Sequence, residues 1–179
     1  MTEMLSAVYT KELSAARNFA SLMKGEERAG TLSSSHTFYR GEVEVAHLYN
    51  YLSKPSQIEV EGERFLLKQQ NRVIVFTQHY TLERDGQVLA NAKETKLFFL
   101  SNSRISYKFK RHSRELILKD NIWSLLGRQY LLWDGQDRVG IIKHNKNFGA
   151  EIDLPPDIPL AIQVFIYKLA FIMWQRGTR

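Results

Sequence analysis

The chain has 179 residues, 44% of them hydrophobic, and carries 25 Lys plus Arg against 19 Asp plus Glu, a net charge of +6. That length suits one domain with its own core, and that apolar content excludes a chain disordered throughout. There is no cysteine, which excludes disulfide scaffolds, thiolate zinc sites and cysteine nucleophiles and fits a reducing cytoplasm.

The first element predicted is a helix. Leu5, Tyr9, Leu13, Ala16, Ala20 and Met23 recur at spacings of three and four over residues 2–24, with Thr2 as a cap and Lys24-Gly25 at the end. Lys11, Glu12 and Arg17 interrupt any apolar run there, so no secretory signal is expected. Residues 1–25 therefore read as an N-terminal helix, and 26–37, small and polar, as a loop or linker.

Residues 38–179 read as a single β domain. Phe65 and Leu67 alternate with Arg64 and Lys68, while Ile105, Tyr107 and Phe109 alternate with Ser106, Lys108 and Lys110. Val73–Phe76, Leu116–Leu118 and Tyr130–Trp133 are further strand candidates, and Ala46–Ser53 fits either a strand or a short helix. Asp85-Gly86 and Asp134-Gly135 mark two-residue turns, where glycine accepts positive φ without strain. The stretches Tyr80–Lys93 and Tyr130–Lys143 resemble each other: each runs Tyr-x-Leu, Asp-Gly-Gln, then an apolar strand ending in lysine. Duplication and chance both account for this.

The chain closes with Asp153-Leu154-Pro155-Pro156-Asp157 and a helix over 158–176, with Asp157 as cap, that is apolar nearly all round. Such a helix is buried in protein or crosses a membrane. Residues 158–174 span about 25 Å at 1.5 Å per residue, short of the hydrocarbon thickness, and Lys168 and Gln163 lie inside that span. A buried central helix is the expectation, with Lys168 reaching a rim or a carboxylate.

Short strands, two Asp-Gly hairpins and a C-terminal apolar helix resemble the tubby C-terminal-like superfamily, which includes the tubby domain, phospholipid scramblases and the LURP-one-related proteins. The resemblance covers roughly residues 38–176 and rests on Asp85-Gly86, Asp134-Gly135 and Asp153–Trp174. It implies a mostly β (α+β) fold, a closed antiparallel β-barrel around the hydrophobic C-terminal helix, to which the residues add the N-terminal helix. The chain lacks the proline-rich N-terminus and cysteine cluster of scramblases and any counterpart of their calcium-binding segment. No tubby phosphoinositide-binding residue carries over by position.

No catalytic constellation is present. His36, His47, His79, His112 and His144 show no metal-ligand spacing, and there is no nucleophile elbow, P-loop or dinucleotide fingerprint. No metal, no cofactor and no enzyme activity are expected. Glu42/Glu44 and Glu59/Glu61/Glu63 read as solvated faces of strands. The strongest local feature is the basic run 104–114, in which Lys108, Lys110, Arg111 and Arg114 form a candidate anion-binding site; the same charges would also guard a sheet edge. The expected function is a cytoplasmic, non-enzymatic binding module for anionic ligands such as phospholipid headgroups, not integral to the membrane. Nucleic acid is the weaker partner, because bases would need exposed aromatics on that strand. Two other readings stand beside it: a structural or regulatory protein docked through the N-terminal helix, and a membrane-tethered, scramblase-like protein anchored by 158–174.

Overall fold

The structure is a computed structural model that describes residues 4–11, 32–51, 54–70, 77–97, 100–121, 128–145 and 149–177. Twelve antiparallel strands form one closed barrel. They are β1 (Leu5–Lys11), β2 (Leu32–Arg40), β3 (Val43–Tyr51), β4 (Ser56–Val60), β5 (Glu63–Gln70), β6 (Thr77–Arg84), β7 (Gln87–Leu97), β8 (Leu100–Phe109), β9 (His112–Asn121), β10 (Gln129–Asp134), β11 (Asp137–His144) and β12 (Gly149–Asp153). Each strand pairs with its sequence neighbours, and β1 pairs with β12 to close the ring. Closure leaves no free sheet edge.

The N-terminal helix is corrected at residues 5–11, which form β1, paired with both β2 and β12. Leu5 and Ala7 point into the core while Val8 is exposed, a period of two. Residues 12–24 lie outside the described residues. The expected loop also gives way: residues 32–37 belong to β2, where Ser34, His36 and Phe38 alternate inward. Ala46–Tyr51 is strand, not helix, and the candidate strand Val73–Phe76 lies outside the described residues.

Alternation puts one residue in two inside the barrel, and α1 (Leu160–Gly177) fills it. Residues 161–171 of α1 are buried without interruption, so strands cover every side of the helix, as its all-round apolar sequence requires. Asp157 does not cap α1: Pro159 O accepts from Ile162 N (2.9 Å) and Gln163 N (3.0 Å), while Asp157 pairs with Arg114. The Gln163 side chain, polar within the apolar stretch, donates to Ile158 O at 2.7 Å. Among the described residues no helix is long and apolar enough to cross a membrane.

The two barrel ends differ. Five tight connections, 41–42, 61–62, 85–86, 110–111 and 135–136, lie at the end where α1 begins. Glu61-Gly62 (φ 52° and 78°) and Asp85-Gly86 (51° and 79°) have positive φ at both residues, as a two-residue hairpin turn requires. Glu61 is thus a turn residue and does not share a strand face with Glu59 and Glu63. The β2–β3, β6–β7 and β10–β11 hairpins are each bulged, between Phe38/Tyr39, Leu82/Glu83 and Leu132/Trp133. These hairpins recur every fourth strand around the ring, so the resemblance of Tyr80–Lys93 to Tyr130–Lys143 extends to the bulge position, and a third hairpin shares it.

Candidate functional site

Two regions carry unusual charge. The first is the outer face of β7–β9. Tyr107 and Phe109 face inward and are buried, while Lys108, Lys110 and Arg111 are exposed. Lys108 projects from β8; Lys110, at φ 55°, and Arg111 make the turn. Lys110 Nζ lies 5.5 Å from the centre of the Phe109 ring. Arg114 is set apart from these three. It stands opposite inward-facing Tyr107 on β9 and pairs with Asp157 (2.9 Å) and Asp134 (3.4 Å), so two carboxylates already offset its charge.

The basic face extends beyond the residues expected from sequence. Lys93 on β7 stands directly opposite Arg104 on β8, and His79 on β6 stands opposite Lys93. Lys93 and Arg104 are exposed. Lys119 on β9 adds a cation 5.0 Å above the Trp133 ring. None of Lys93, Arg104, Lys108, Lys110, Arg111 and Lys119 is paired with a carboxylate among the described residues. Glu115, opposite Ser106, is the acid of this face. Arg104 opens the basic run read from the sequence, but Lys93 lies outside that run, and only the β7–β8 register brings the two together.

The second region is the interior at the other end of the barrel, where α1 finishes. Inward positions there are polar: His36, Asn50, Tyr80, Glu94, Ser103, Asp120, Tyr130 and His144. Arg176 donates to Glu94 Oε2 (2.6 Å), to Tyr80 Oη (2.9 Å) and to Gln78. Arg128 donates to Asp120 (3.1 Å) and reaches Trp174 O (3.4 Å), one of the carbonyls left free where the helix ends. His36 Nδ1 lies 2.8 Å from the Tyr167 hydroxyl, and His144 stacks on Trp174. Burial holds His36 down to about 3, helped by the Lys168 charge and by His144. Burial also holds His144 down to about 4, with Arg128 adding to it. Both imidazoles are neutral at pH 7. The sequence shows no metal-ligand spacing among the histidines and assigns these two no role; the alternation Ser34-x-His36-x-Phe38 is the signal that His36 turns inward.

Lys168 finds a partner at this end of the barrel, but that partner is not a carboxylate. The lysine stays inside and donates to an amide oxygen, Asn50 Oδ1, at 2.7 Å. Asn50 in turn donates to Ser34 Oγ (3.0 Å), and its Oδ1 also accepts from Ser56 (3.0 Å). Burial brings Lys168 down to about 8. Beside it opens a cavity of about 860 Å³ bordered by Lys54, Lys68, Tyr80, Lys168, Ile172 and Arg176, among others.

Three of the five candidate acids are engaged in surface pairs, Glu44 with His47 (2.8 Å), Glu59 with Arg64 (3.8 Å) and Glu63 with Arg84 (2.7 Å), while Glu42 and Glu61 sit exposed in turns. No protein-family model matches the chain, and neither a curated protein nor a solved structure matches it.

Proposed function

We propose that this chain is a non-enzymatic, cytoplasmic binding module that docks on anionic phospholipid headgroups through the outer face of β7–β9, and that it is a tubby-like, LURP-one-related or scramblase-like protein. Twelve antiparallel strands closed around a C-terminal helix support the likeness. The observation that carries the functional reading is the Lys93–Arg104 pair. Like charges directly opposite across an antiparallel ladder repel and lower stability, and neither residue forms an ion pair among the described residues, although Glu115 stands diagonal to Arg104 on β9. A surface phosphate would remove the repulsion by charge-assisted hydrogen bonds. Lys108 continues the positive field along β8, about 13 Å from Arg104 at 3.3 Å per residue, and Lys110 and Arg111 extend it into the turn. Tyr107 and Phe109 are buried, so base stacking gains nothing from this strand, which favours headgroups over nucleic acid. With α1 enclosed by the strands, the attachment is peripheral.

Flotation with vesicles of neutral phosphatidylcholine, with and without phosphatidylserine, tests the reading. The protein is expected to float only with the anionic vesicles and to release in high salt. The double reversal Lys93→Glu/Arg104→Glu should abolish flotation. Absence of binding to anionic vesicles, undiminished binding by the double variant, or binding that resists salt and alkaline carbonate would each overturn it.

A further inference from the structure

The cavity at the end of α1 shows a charge imbalance unrelated to the outer face. Lys168 is only 9% exposed, and its hydrogen bond goes to a neutral amide. Removing an ammonium from water without a counter-charge is expensive. The cavity supplies none: it is bordered by Lys54, Lys68, Lys168 and Arg176 and by no carboxylate among the described residues. Two of these cations are already engaged from outside the lining, Lys68 with Glu83 (2.5 Å) and Arg176 with Glu94. Lys168 and Lys54 have no such partner among the described residues. The same walls include Leu67, Tyr80 and Ile172. At about 860 Å³ the space falls in the range of small-molecule sites, which combine apolar walls with a few convergent polar groups.

We propose that this cavity binds a small organic anion, whose carboxylate or phosphate head pairs with Lys168 and whose apolar body lies along Leu67, Tyr80 and Ile172. The ligand supplies the counter-charge that Asn50 cannot. Pairing stabilises the ammonium, so affinity is retained below the Lys168 midpoint and falls as pH rises through it. The titratable groups facing Lys168 are His36, neutral at pH 7, and Tyr51, Lys54, Lys68, Tyr80 and Arg176 around the cavity.

Octanoate, octyl phosphate and octanol serve as probes, followed by NMR of the Lys168 ε-methylene in the wild-type protein. Octanoate or octyl phosphate is expected to raise the Lys168 titration midpoint by about one pH unit, which corresponds to tenfold tighter binding to the charged form. Octanol should leave it unmoved. Lys168→Met should weaken octanoate binding at least about tenfold, whereas Lys93→Glu/Arg104→Glu should leave it unchanged, which separates this site from the outer face. The two charged probes distinguish a carboxylate ligand from a phosphate ligand. The proposal fails if neither anion moves the midpoint, or if octanol binds as tightly as octanoate. The wild-type titration decides the matter even if the methionine variant does not fold.

Discussion

The two ends of this barrel are built from the same strands and filled by the same helix, yet they solve opposite problems. Where α1 begins, hairpins close in two residues and the inward positions are Phe38, Leu48, Ile58, Phe65, Leu116 and their neighbours, all buried. Apolar packing dominates there, and the polar groups beside the helix start are paired locally, Gln163 with Ile158 O and Asp157 with Arg114. Where α1 ends, the inward positions are histidine, tyrosine, asparagine and carboxylates, several with atoms unpaired among the described residues: His36 Nε2, Glu94 Oε1, Asp120 Oδ1, Tyr130 Oη and His144 Nε2. Buried polar atoms left unpaired cost stability. A fold selected only for stability would extend the apolar packing to both ends. The difference places apolar packing at one end and a buried polar network at the other.

The sharpest test of that division runs along α1. Phe165, Ile166 and Leu169 lie on different sides of the helix and are all fully buried, so alanine at each should cost about 2–5 kcal/mol through the cavity it leaves. Ile172 is partly exposed and borders the existing cavity, and Ile172→Ala should cost about 1 kcal/mol. Thermal melts of the four single variants measure this. Equal losses at Ile172 and Phe165 would mean that the polar end is packed as tightly as the other.

The polar end should also be the acid-sensitive one. Both histidine midpoints lie below the ordinary 6.5, near 3 for His36 and near 4 for His144. Between pH 6.5 and those values the unfolded chain binds protons that the folded chain refuses, so stability falls as pH falls through that window. By pH 5 each histidine should cost about 2 kcal/mol, and at pH 7 almost nothing. His144→Phe keeps the ring on Trp174 and removes the titration. It should therefore match the wild type at pH 7 and exceed it by about 2 kcal/mol at pH 5. Lys168 acts in a separate window with the same sign: its midpoint drops from 10.5 to about 8, so its part of the stability rises with pH between those values. Denaturant titrations at pH 5 and 7 check the histidine claim. A variant no better than wild type at pH 5 would show that His144 is solvated.

How much of this was legible in the sequence follows the same division. The apolar central helix, the alternating strands and the Asp85-Gly86 turn were readable because each is a local pattern backed by local physics; at the second Asp-Gly the turn falls one residue later, on Gly135-Gln136, because Asp134 still pairs with Asp137 in the β10–β11 ladder. The N-terminal segment was misread because Leu5 and Tyr9 satisfy a spacing of four as well as of two. What decides is Ile152, the partner of Leu5 across the barrel closure, and no local period encodes that pairing. The polar end was illegible for the same reason. Lys168 meets Asn50 across 118 positions, Arg176 meets Glu94 across 82, and His36 sat in a serine-rich run that reads as loop. Of the expected anion site, the hairpin tip at Lys108, Lys110 and Arg111 was readable as an exposed basic cluster. The engagement of Arg114 by Asp134 and Asp157 depends on where the β10 end and the approach to α1 come to lie.

The smallest effect concerns the turn end, where backbone conformation rather than packing is at stake. A Cβ on Gly86 or Gly135 would meet nothing within 4 Å, and φ is +79° and +60°. Valine at either position should therefore cost about 1 kcal/mol or slightly more, entirely from forcing a β-branched residue into the left-handed region. Asparagine, which enters that region readily, should recover most of the loss. Gly140, on β11, is the control with the opposite cause. A Cβ there would lie 2.7 Å from Leu154 Cδ2 and 2.8 Å from Asp153 O, so alanine and asparagine should both destabilise it, the larger residue more. Melting temperatures of Gly86→Val, Gly86→Asn, Gly140→Ala and Gly140→Asn separate conformational strain from steric exclusion. If asparagine at Gly86 costs as much as valine, the turn is held by something other than its φ, and the tight hairpins do not close that end in the way described.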